Sequence, residues 1–339
     1  MRRTVALRDA YAYACDMEDK PAFLDSGRPD VPDIAVPRGV TPFHLPLRPV
    51  RGRLVRLGPL ADALLTRHDH PDCVSSLVGQ AMALVAALAT ALKFNGSFSL
   101  QIKGDGPVRM LLADCTDTGA LRGYASATSD ALGTLLEATP SPTARQLLGE
   151  GFLAFTVDQG ADMDRHQGIV SLTGDGLEEM ALHYFDVSEQ IPCFLRLACE
   201  RTAHGWRAAA LVLERVAGTG GVDPTLDAMA LDESWGTAII LASTVKDREL
   251  LDDNLSADRL LYNLFSSEGV AADRPRPLNY GCRCSRSKLV DLLGTFGVDD
   301  IEHMQTDGAI TMTCEFCNLA FNFARSDIRL AGVSQESLG

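Results

Sequence analysis

The sequence predicts an α+β fold in three parts: an N-terminal antiparallel-sheet core with helices, a helical linker, and a small C-terminal domain rich in cysteine. Three observations support this prediction. Apolar and polar residues alternate in short runs between Arg51 and Glu214, as in half-buried strands. After Gly218-Thr219-Gly220-Gly221 the apolar residues recur at helical spacing. Two close pairs of cysteines follow within residues 279–339.

Length and charge limit the possible classes of protein. The 339 residues allow two or more domains, and 46% hydrophobic with 22% charged residues is ordinary for a soluble globular protein. The net charge of −14 argues against a nucleic-acid partner, because affinity for phosphates depends on Lys and Arg. Residues 279–339 share this balance, with five Lys or Arg against eight Asp or Glu, 5 − 8 = −3.

The sequence predicts neither a secretory signal nor a membrane partner. Asp9 and Asp16 interrupt any apolar run near the start. The longest apolar run, Ala81–Leu92, is too short to span a bilayer and is typical of a buried helix. We therefore expect a cytoplasmic protein whose nine cysteines are thiols or metal ligands rather than disulfides.

The chain begins with residues 1–40, which contain four prolines among acidic residues and are interpreted as a partly irregular extension. Ordered structure is expected from near Thr41, and residues 41–217 are predicted to form the α+β core. Its first elements are a strand at Arg51–Leu57 and a short helix at Leu60–Thr66.

His68-Asp69-His70-Pro71 allows two interpretations. A His-x-His pair could bind a metal ion, but no matching carboxylate or histidine cluster stands nearby in the sequence. We favour a helix start, with Asp69 or His70 as the cap and Pro71 in the first turn. The helix would run to about Lys93 and stop at Asn95-Gly96.

The rest of the core is predicted to be strands and one further helix. Gly104-Asp105-Gly106 is interpreted as a hairpin turn, since it lacks the Lys and the following helix of a phosphate loop. The expected strands are Phe98–Ile102, Val108–Asp114, Leu121–Ser126, Phe152–Asp158, Ile169–Leu172, Cys193–Glu200 and Trp206–Glu214, and the expected helix is Leu177–Glu189.

Residues 218–278 are predicted to be a helical linker. Helices are expected at Glu233–Val245 and Ser256–Ser267, with Ser256 as an N-cap. Arg274-Pro275-Arg276-Pro277 would separate them from the last domain. The apolar stripes consist of Trp235, Ile239, Ile240, Leu241, Leu261, Tyr262, Leu264 and Phe265.

The C-terminal domain, residues 279–339, carries Cys282-x-Cys284 and Cys314-x-x-Cys317 with 29 residues between the pairs. Four thiolates in two close pairs predict one structural zinc ion in a tetrahedral site. Buried apolar cysteines or two structural disulfides remain as alternatives. Between the pairs we expect helices at Lys288–Leu293 and Asp299–Met304 and a hairpin of Ile310–Thr313 with Leu319–Phe323.

Enzyme motifs are missing from the sequence. It contains no nucleophile elbow, no His-Glu-x-x-His and no Walker loop, so we expect no catalytic residues and no organic cofactor. The other cysteines are scattered and are interpreted as core or surface thiols: Cys15, Cys73, Cys115, Cys193 and Cys199.

The sequence resembles the heat shock protein 33 family of redox-regulated bacterial holdase chaperones. Cys-Arg-Cys-Ser at 282–285 and Cys-Glu-Phe-Cys-Asn at 314–318 match the zinc module of that family in type and spacing. Further matches extend over 41–327 and include Arg51-Gly52-Arg53, Arg67-His68-Asp69, Leu92-Lys93-Phe94, Gly104-Asp105-Gly106-Pro107, Leu121-Arg122-Gly123-Tyr124-Ala125, Gln167-Gly168-Ile169-Val170 and Ser188-Glu189-Gln190. Residues 1–40 and the thiol of Cys193 depart from the pattern.

The resemblance implies a chaperone core, a linker folded over it, and a zinc redox switch that binds unfolding polypeptides without ATP. Zinc keeps its sulfurs as thiolates, the form that peroxide or hypochlorite oxidises. We expect nearest-neighbour disulfides Cys282–Cys284 and Cys314–Cys317, which would remove the long-range tie, unfold the zinc segment and expose the linker stripes. A homodimer of the oxidised form is left open.

Three other interpretations stay open. An inert zinc clip would hold the same four cysteines without redox chemistry. A zinc module for nucleic-acid or protein binding would need a basic face with aromatic residues, which the charge balance disfavours. A thiol-disulfide oxidoreductase using Cys314 and Cys317 would need a βαβ unit beside the motif, which the sequence does not show.

Overall fold

The structure, a computed structural model, describes residues 34–91, 95–159, 165–216 and 228–328. The chain divides into two compact units, one spanning Asp33–Gly281 and the other containing the segment that begins at Cys282. Most of the predicted N-terminal extension, the Gly218–Gly221 break and Cys15 lie outside the described residues.

An 11-stranded sheet forms the framework of the first unit, in the order β7-β6-β3-β4-β5-β11-β1-β2-β9-β8, with β10 paired to β1. All of its pairings are antiparallel except β11 with β5. The predicted α+β class is confirmed. The strands are β1 (Ala35–Leu45), β2 (Val50–Arg56), β3 (Ser97–Gly104), β4 (Val108–Thr116), β5 (Ala120–Ala127), β6 (Gly151–Asp158), β7 (His166–Ser171), β8 (Cys193–Thr202), β9 (Gly205–Arg215), β10 (Ala271–Ala272) and β11 (Arg276–Tyr280).

Eight helices of this unit pack on the sheet within the described residues. They are α1 (Pro59–Leu65), α2 (Asp72–Ala89), α3 (Ser129–Ala138), α4 (Ala144–Leu148), α5 (Leu177–Tyr184), α6 (Ala228–Ser243), α7 (Asp247–Leu250) and α8 (Ala257–Phe265). A π turn, Phe185–Glu189, completes the predicted helix after α5. The structure adds α3, α4 and α7 to the helices that the sequence predicted.

Helix α2 is the centre of the larger hydrophobic core. Strands β2, β3, β4, β5, β8 and β9 all contact it, so the sheet curves around it. By length and composition α2 could cross a membrane, but 78% of it is buried inside this unit. The helix is therefore a core helix, as expected for the apolar run Ala81–Leu92.

The start of α2 differs from the prediction. Pro71 itself is the N-cap and no side chain caps the helix, so neither Asp69 nor His70 has the predicted role. The rings of His68 and His70 instead stack with their centroids 5.2 Å apart. The helix ends at Ala89, before the predicted Lys93, where the Thr90 hydroxyl donates hydrogen bonds to the carbonyls of Ala86 and Ala87.

Helices α6, α7 and α8 cover the sheet face opposite α2. Ser256 caps α8, as predicted, by accepting a hydrogen bond from the backbone N–H of Arg259. Phe265 lies 5.6 Å from Phe43 between ring centroids. A second core forms here from β1, β2, β8, β9 and the three helices, and comprises Phe43, Leu45, Val50, Leu54, Ala198, Ala209, Leu211, Leu213, Ala238, Ala242, Val245, Leu250, Leu251, Leu260, Leu261, Leu264 and Phe265.

Strands β1 and β11 correct the sequence prediction. Order does not begin near Thr41, because β1 already starts at Ala35. Arg276–Tyr280 is not a spacer but β11, which pairs with β1 on one side and with β5 on the other. It thus joins the two halves of the sheet and crosses the predicted linker–zinc boundary at 278/279. The domain boundaries themselves stay a prediction.

The second unit is small. Its elements are α9 (Arg286–Leu293), α10 (Val298–Met304), β12 (Ala309–Thr313) and β13 (Ala320–Ala324), all close to the predicted positions. The two strands form an antiparallel hairpin. Its core consists of Leu289, Leu293, Ile301, Ile310, Met312, Phe316, Phe321, Phe323 and Ile328.

Candidate metal centre

The sulfur atoms of Cys282, Cys284, Cys314 and Cys317 converge at one point. All four lie within 4.8 Å of one another. Cys282 Sγ is 3.4 Å from Cys284 Sγ and 3.6 Å from Cys314 Sγ, and Cys284 Sγ is 3.4 Å from Cys317 Sγ. Tetrahedral zinc with Zn–S bonds of about 2.3 Å would set its sulfurs about 3.8 Å apart. The four side chains are therefore positioned to bind one metal ion.

The electrostatics of the cluster favour a cation at its centre. Hydrogen bonds with Cys284, Cys314 and Cys317 lower the pKa of Cys282, while the hydrogen bond with Cys282 raises the pKa of Cys284. The thiols thus share protons, because several negative charges this close repel one another. A divalent cation would remove that conflict and hold all four as thiolates.

The hairpin positions the second cysteine pair. Cys314–Cys317 lies between β12 and β13, and the backbone N–H of Cys314 donates to the carbonyl of Leu319 at 2.9 Å. Asn318 follows with a φ of 54° and donates its N–H to the carbonyl of Cys314 at 2.8 Å. Asn tolerates this left-handed backbone better than most residues. The turn therefore brings Cys314 and Cys317 to one side of the hairpin.

Helix α9 positions the first pair. Ser285 caps the helix by accepting a hydrogen bond from the N–H of Lys288. Arg286 in the first turn pairs with Asp327 at 2.7 Å and lies over the Phe323 ring, 4.6 Å from its centroid. This guanidinium ties the start of α9 to the hairpin and so holds the two cysteine pairs together.

Burial differs among the four cysteines. Cys317 is 1% exposed, Cys282 3% and Cys314 8%, whereas Cys284 is only half-buried. Solvent and small oxidants therefore reach the cluster first at Cys284.

The other described thiols and the histidine pair lie apart from this cluster. In the part of the chain that the structure describes, the cluster is the one group of three or more metal-binding side chains, so His68 and His70 gain no further ligand there. Burial lowers the pKa of His70. Burial also raises the pKa of Cys73 and Cys193, and that of Cys199 to about 12.

Comparison with known proteins assigns the chain. A family model described as "Hsp33 protein" matches residues 39–324, which includes both units and all four clustered cysteines. The chain belongs to the Hsp33 family. The chaperone class suggested by the sequence resemblance is thereby confirmed.

Hsp33 relatives match over most of the chain. A protein named 33 kDa chaperonin from Caulobacter vibrioides is 38% identical over 284 residues, which covers 82% of this chain and 92% of the relative. One from Nitrosococcus oceani is 35% identical over 280 residues, 82% of this chain and 89% of the relative. The solved 33 kDa chaperonin of Thermotoga maritima shares the fold, with a TM-score of 0.67, 20% identity and coverage of 86% of this chain and 96% of that one.

Proposed function

We propose that this protein is a redox-regulated, ATP-independent holdase of the cytoplasm, which binds unfolding polypeptides after its metal-binding cysteines are oxidised. The observation that supports this most is the pairing of two features in one chain. Four sulfurs converge on one point, and an apolar sheet face lies under a linker made of short helices. The first feature can sense oxidants and the second can bind clients.

The sensor is Cys282, Cys284, Cys314 and Cys317, with zinc as the ion. Bound zinc would keep the sulfurs as thiolates and connect two chain positions about 30 residues apart. In small peptides the free energy of binding structural zinc is about 10–16 kcal/mol, and it acts as folding free energy. Oxidation joins Cys282 to Cys284 and Cys314 to Cys317. Each disulfide forms as two sulfurs lose two electrons to peroxide or hypochlorite, and the oxidised sulfurs no longer act as ligands.

Strand β11 is the element through which loss of the sensor reaches the linker. Tyr280 at its end lies two residues before Cys282, and Gly281 donates its N–H to the carbonyl of Leu121 at 2.8 Å. The C-terminal unit has a small core and depends on the metal for stability. When it unfolds, the residues that follow Tyr280 no longer hold a fixed position, so β11 frays from β5 and β1 and loosens the linker that precedes it.

The client surface is the apolar face that the linker covers. Leu261 and Phe265 of α8 are 1% and 0% exposed in the closed state. Burial of such side chains contributes about 1.5–3 kcal/mol each, so loss of the linker exposes a surface with a strong tendency to bind apolar segments. Client binding there needs no nucleotide.

The experiment measures zinc content and aggregation suppression together. Reduced protein should carry one zinc and leave a heat-unfolded client to aggregate. Peroxide treatment should release the zinc and suppress aggregation, as read by light scattering. Single Cys→Ser replacements at 282, 284, 314 and 317 should each lose metal, whereas Cys73→Ser, a thiol outside the cluster, should retain it. Full zinc retention in any of the four variants, or zinc release without chaperone activity, would contradict the proposal.

A further inference from the structure

Arginines stand around the apolar sheet face that the linker covers. Along β9 the residues on this face read Arg207, Ala209, Leu211, Leu213 and Arg215, with a cation at each end of an apolar row. The other arginines of this set, here called the arginine rim, are Arg38 on β1, Arg48 in the β1–β2 turn, Arg56 on β2 and Arg196 on β8.

Each rim arginine bonds to the linker in the closed state. Five of them pair with carboxylates at 2.6–2.8 Å: Arg38 with Asp258, Arg48 with Glu268, Arg196 with Asp247, Arg207 with Asp253 and Arg215 with Asp232. The sixth, Arg56, donates to the backbone carbonyls of Leu255 and Glu249. The linker thus packs its apolar side chains on the sheet face and also pairs with the arginine rim around that face.

Some of these cations are poorly hydrated. The Arg207 side chain is only 8% exposed, and burial lowers the pKa of Arg56 although Asp252 and Asp253 oppose the change. Arg207 also donates to the carbonyls of His204 and Trp206, which lie outside the linker, so its guanidinium keeps its place beside the apolar row when Asp253 leaves. The open face therefore presents positive charges beside apolar side chains, and client carboxylates are attracted to them.

The linker matches this demand in composition. Residues 228–270 contain three Lys or Arg and eight Asp or Glu, 3 − 8 = −5. Its apolar stripes lie on α6 to α8, and its acidic side chains lie on these helices and in the segments that follow α7 and α8. The linker therefore binds this face within the same chain, and its acidic and apolar side chains indicate which side chains the face can bind.

We propose that the opened face selects client segments in which apolar side chains are flanked by Asp or Glu, with the arginine rim replacing its linker partners by client carboxylates. This rests on the proposed function, because the linker must leave before a client can bind. Charge complementarity of this kind discriminates between partners, since apolar segments flanked by Lys would meet like charges at the rim.

The test uses three fluorescent peptides that share one apolar sequence and carry Glu, Gln or Lys at the same flanking positions. Each is titrated into the oxidised full-length protein. The Glu peptide should bind about tenfold more tightly than the Gln peptide at low salt, equivalent to about 1.4 kcal/mol, and the Lys peptide should bind least tightly. The preference should shrink at high salt because exposed charges are screened.

A pair of variants with equal net charge locates the effect. Arg196→Gln with Arg215→Gln removes two rim cations, whereas Arg109→Gln with Arg165→Gln removes two exposed arginines from β4 and from the residue preceding β7. The rim variant should lose the preference for Glu over Gln but keep its affinity for the Gln peptide. The control variant should keep both.

Equal affinity for the Glu and Gln peptides, in oxidised protein that suppresses aggregation, overturns this inference and leaves the proposed function intact. Loss of the preference in both double variants also overturns it, because the preference would then follow net charge.

If oxidation produces no chaperone activity, the proposed function fails, and the peptides are titrated into a Phe265→Asp variant, which is designed to open the linker without oxidation. Absence of a charge preference there overturns the inference independently.

Discussion

At the scale of single residues, the four clustered sulfurs differ in access although they share one ion site. Cys284 is half-buried, whereas Cys317 is 1% exposed behind the turn of the hairpin. Oxidants act on thiolates that they can reach, so access decides the order of reaction once all four sulfurs are thiolates.

We predict that Cys284 is the first cysteine to be oxidised by limiting hypochlorite, and that Cys193 and Cys199 stay reduced. Burial, with Glu214 as a smaller cause, raises the pKa of Cys193, and burial raises that of Cys199 to about 12. A raised pKa leaves little thiolate at neutral pH, so the reactivity of both should increase only as the pH rises. Differential alkylation with mass spectrometry measures the order, and early oxidation of Cys193 would show that the core opens first.

The convergence of the four cysteines is the part of the structure that the sequence predicted best. Spacing alone paired Cys282 with Cys284 and Cys314 with Cys317, because short loops keep both members of a pair close in any fold. The sequence could not predict that Arg286 holds the two cysteine pairs close together through its ion pair with the segment after the hairpin. Its partner Asp327 is 41 residues away, and only the folded hairpin brings the two together.

At the scale of elements, α8 shows how a short helix covers an apolar sheet face. Its Leu260, Leu261, Leu264 and Phe265 are buried on the sheet, whereas Tyr262 on the opposite side is 56% exposed. Helical spacing allowed the sequence to predict Leu261, Leu264 and Phe265 of this stripe, but the predicted stripe wrongly included the exposed Tyr262 and omitted the buried Leu260. The stripe did not reveal which face of which sheet it would cover.

We predict that Phe265→Asp activates the reduced, zinc-loaded protein, and that Tyr262→Asp does not. A carboxylate buried against Phe43 lacks a partner and would cost several kcal/mol, which favours release of α8. The same substitution at exposed Tyr262 changes the charge of the helix equally without touching the core. Light scattering of a heat-unfolded client, with reductant and zinc present, measures activity. Equal behaviour of the two variants would show that docking of α8 does not close the client surface.

Strands β1 and β11 escaped prediction for one physical reason. The β1 segment contains Pro37, Gly39 and Pro42, and β11 contains Pro277, so both have the composition of loops. Leu278 of β11 compensates, because it is 0% exposed and packs where any side chain at Gly39 would come within 2.7 Å of it. Tertiary packing thus overrides local propensity. The parallel pairing of β11 with β5 joins segments that are far apart in the sequence, so no local sequence pattern indicates it.

At the scale of the whole molecule, β11 lies between the two segments that the proposed mechanism connects, because it follows the linker helices and ends two residues before Cys282. The linker is held at both ends by the sheet, at β9 before it and at β11 after it. In the proposed mechanism, unfolding of the segment that begins at Cys282 reaches the linker along the backbone through Gly281 and β11. The proposed mechanism then needs only the fraying of a five-residue strand, which is easier to reverse than unfolding of the whole sheet.

Gly281→Ala tests this coupling without altering any cysteine. A methyl group at position 281 would lie 2.4 Å from the backbone N of Leu121, so the end of β11 must move away from β5, at a cost of about 1–3 kcal/mol. We predict that reduced, zinc-loaded Gly281→Ala shows faster hydrogen exchange in β11 and in α6 to α8, and partial chaperone activity. Gly133→Ala is the matched control, because nothing lies within 4 Å of the added methyl group and Ala favours the helix α3 that contains it. Zinc content, measured in parallel, must stay at the parent level for the comparison to isolate β11.

If β11 exchanges faster while α6 to α8 stay as protected as in the parent protein, the linker is released by another route and β11 does not carry the signal.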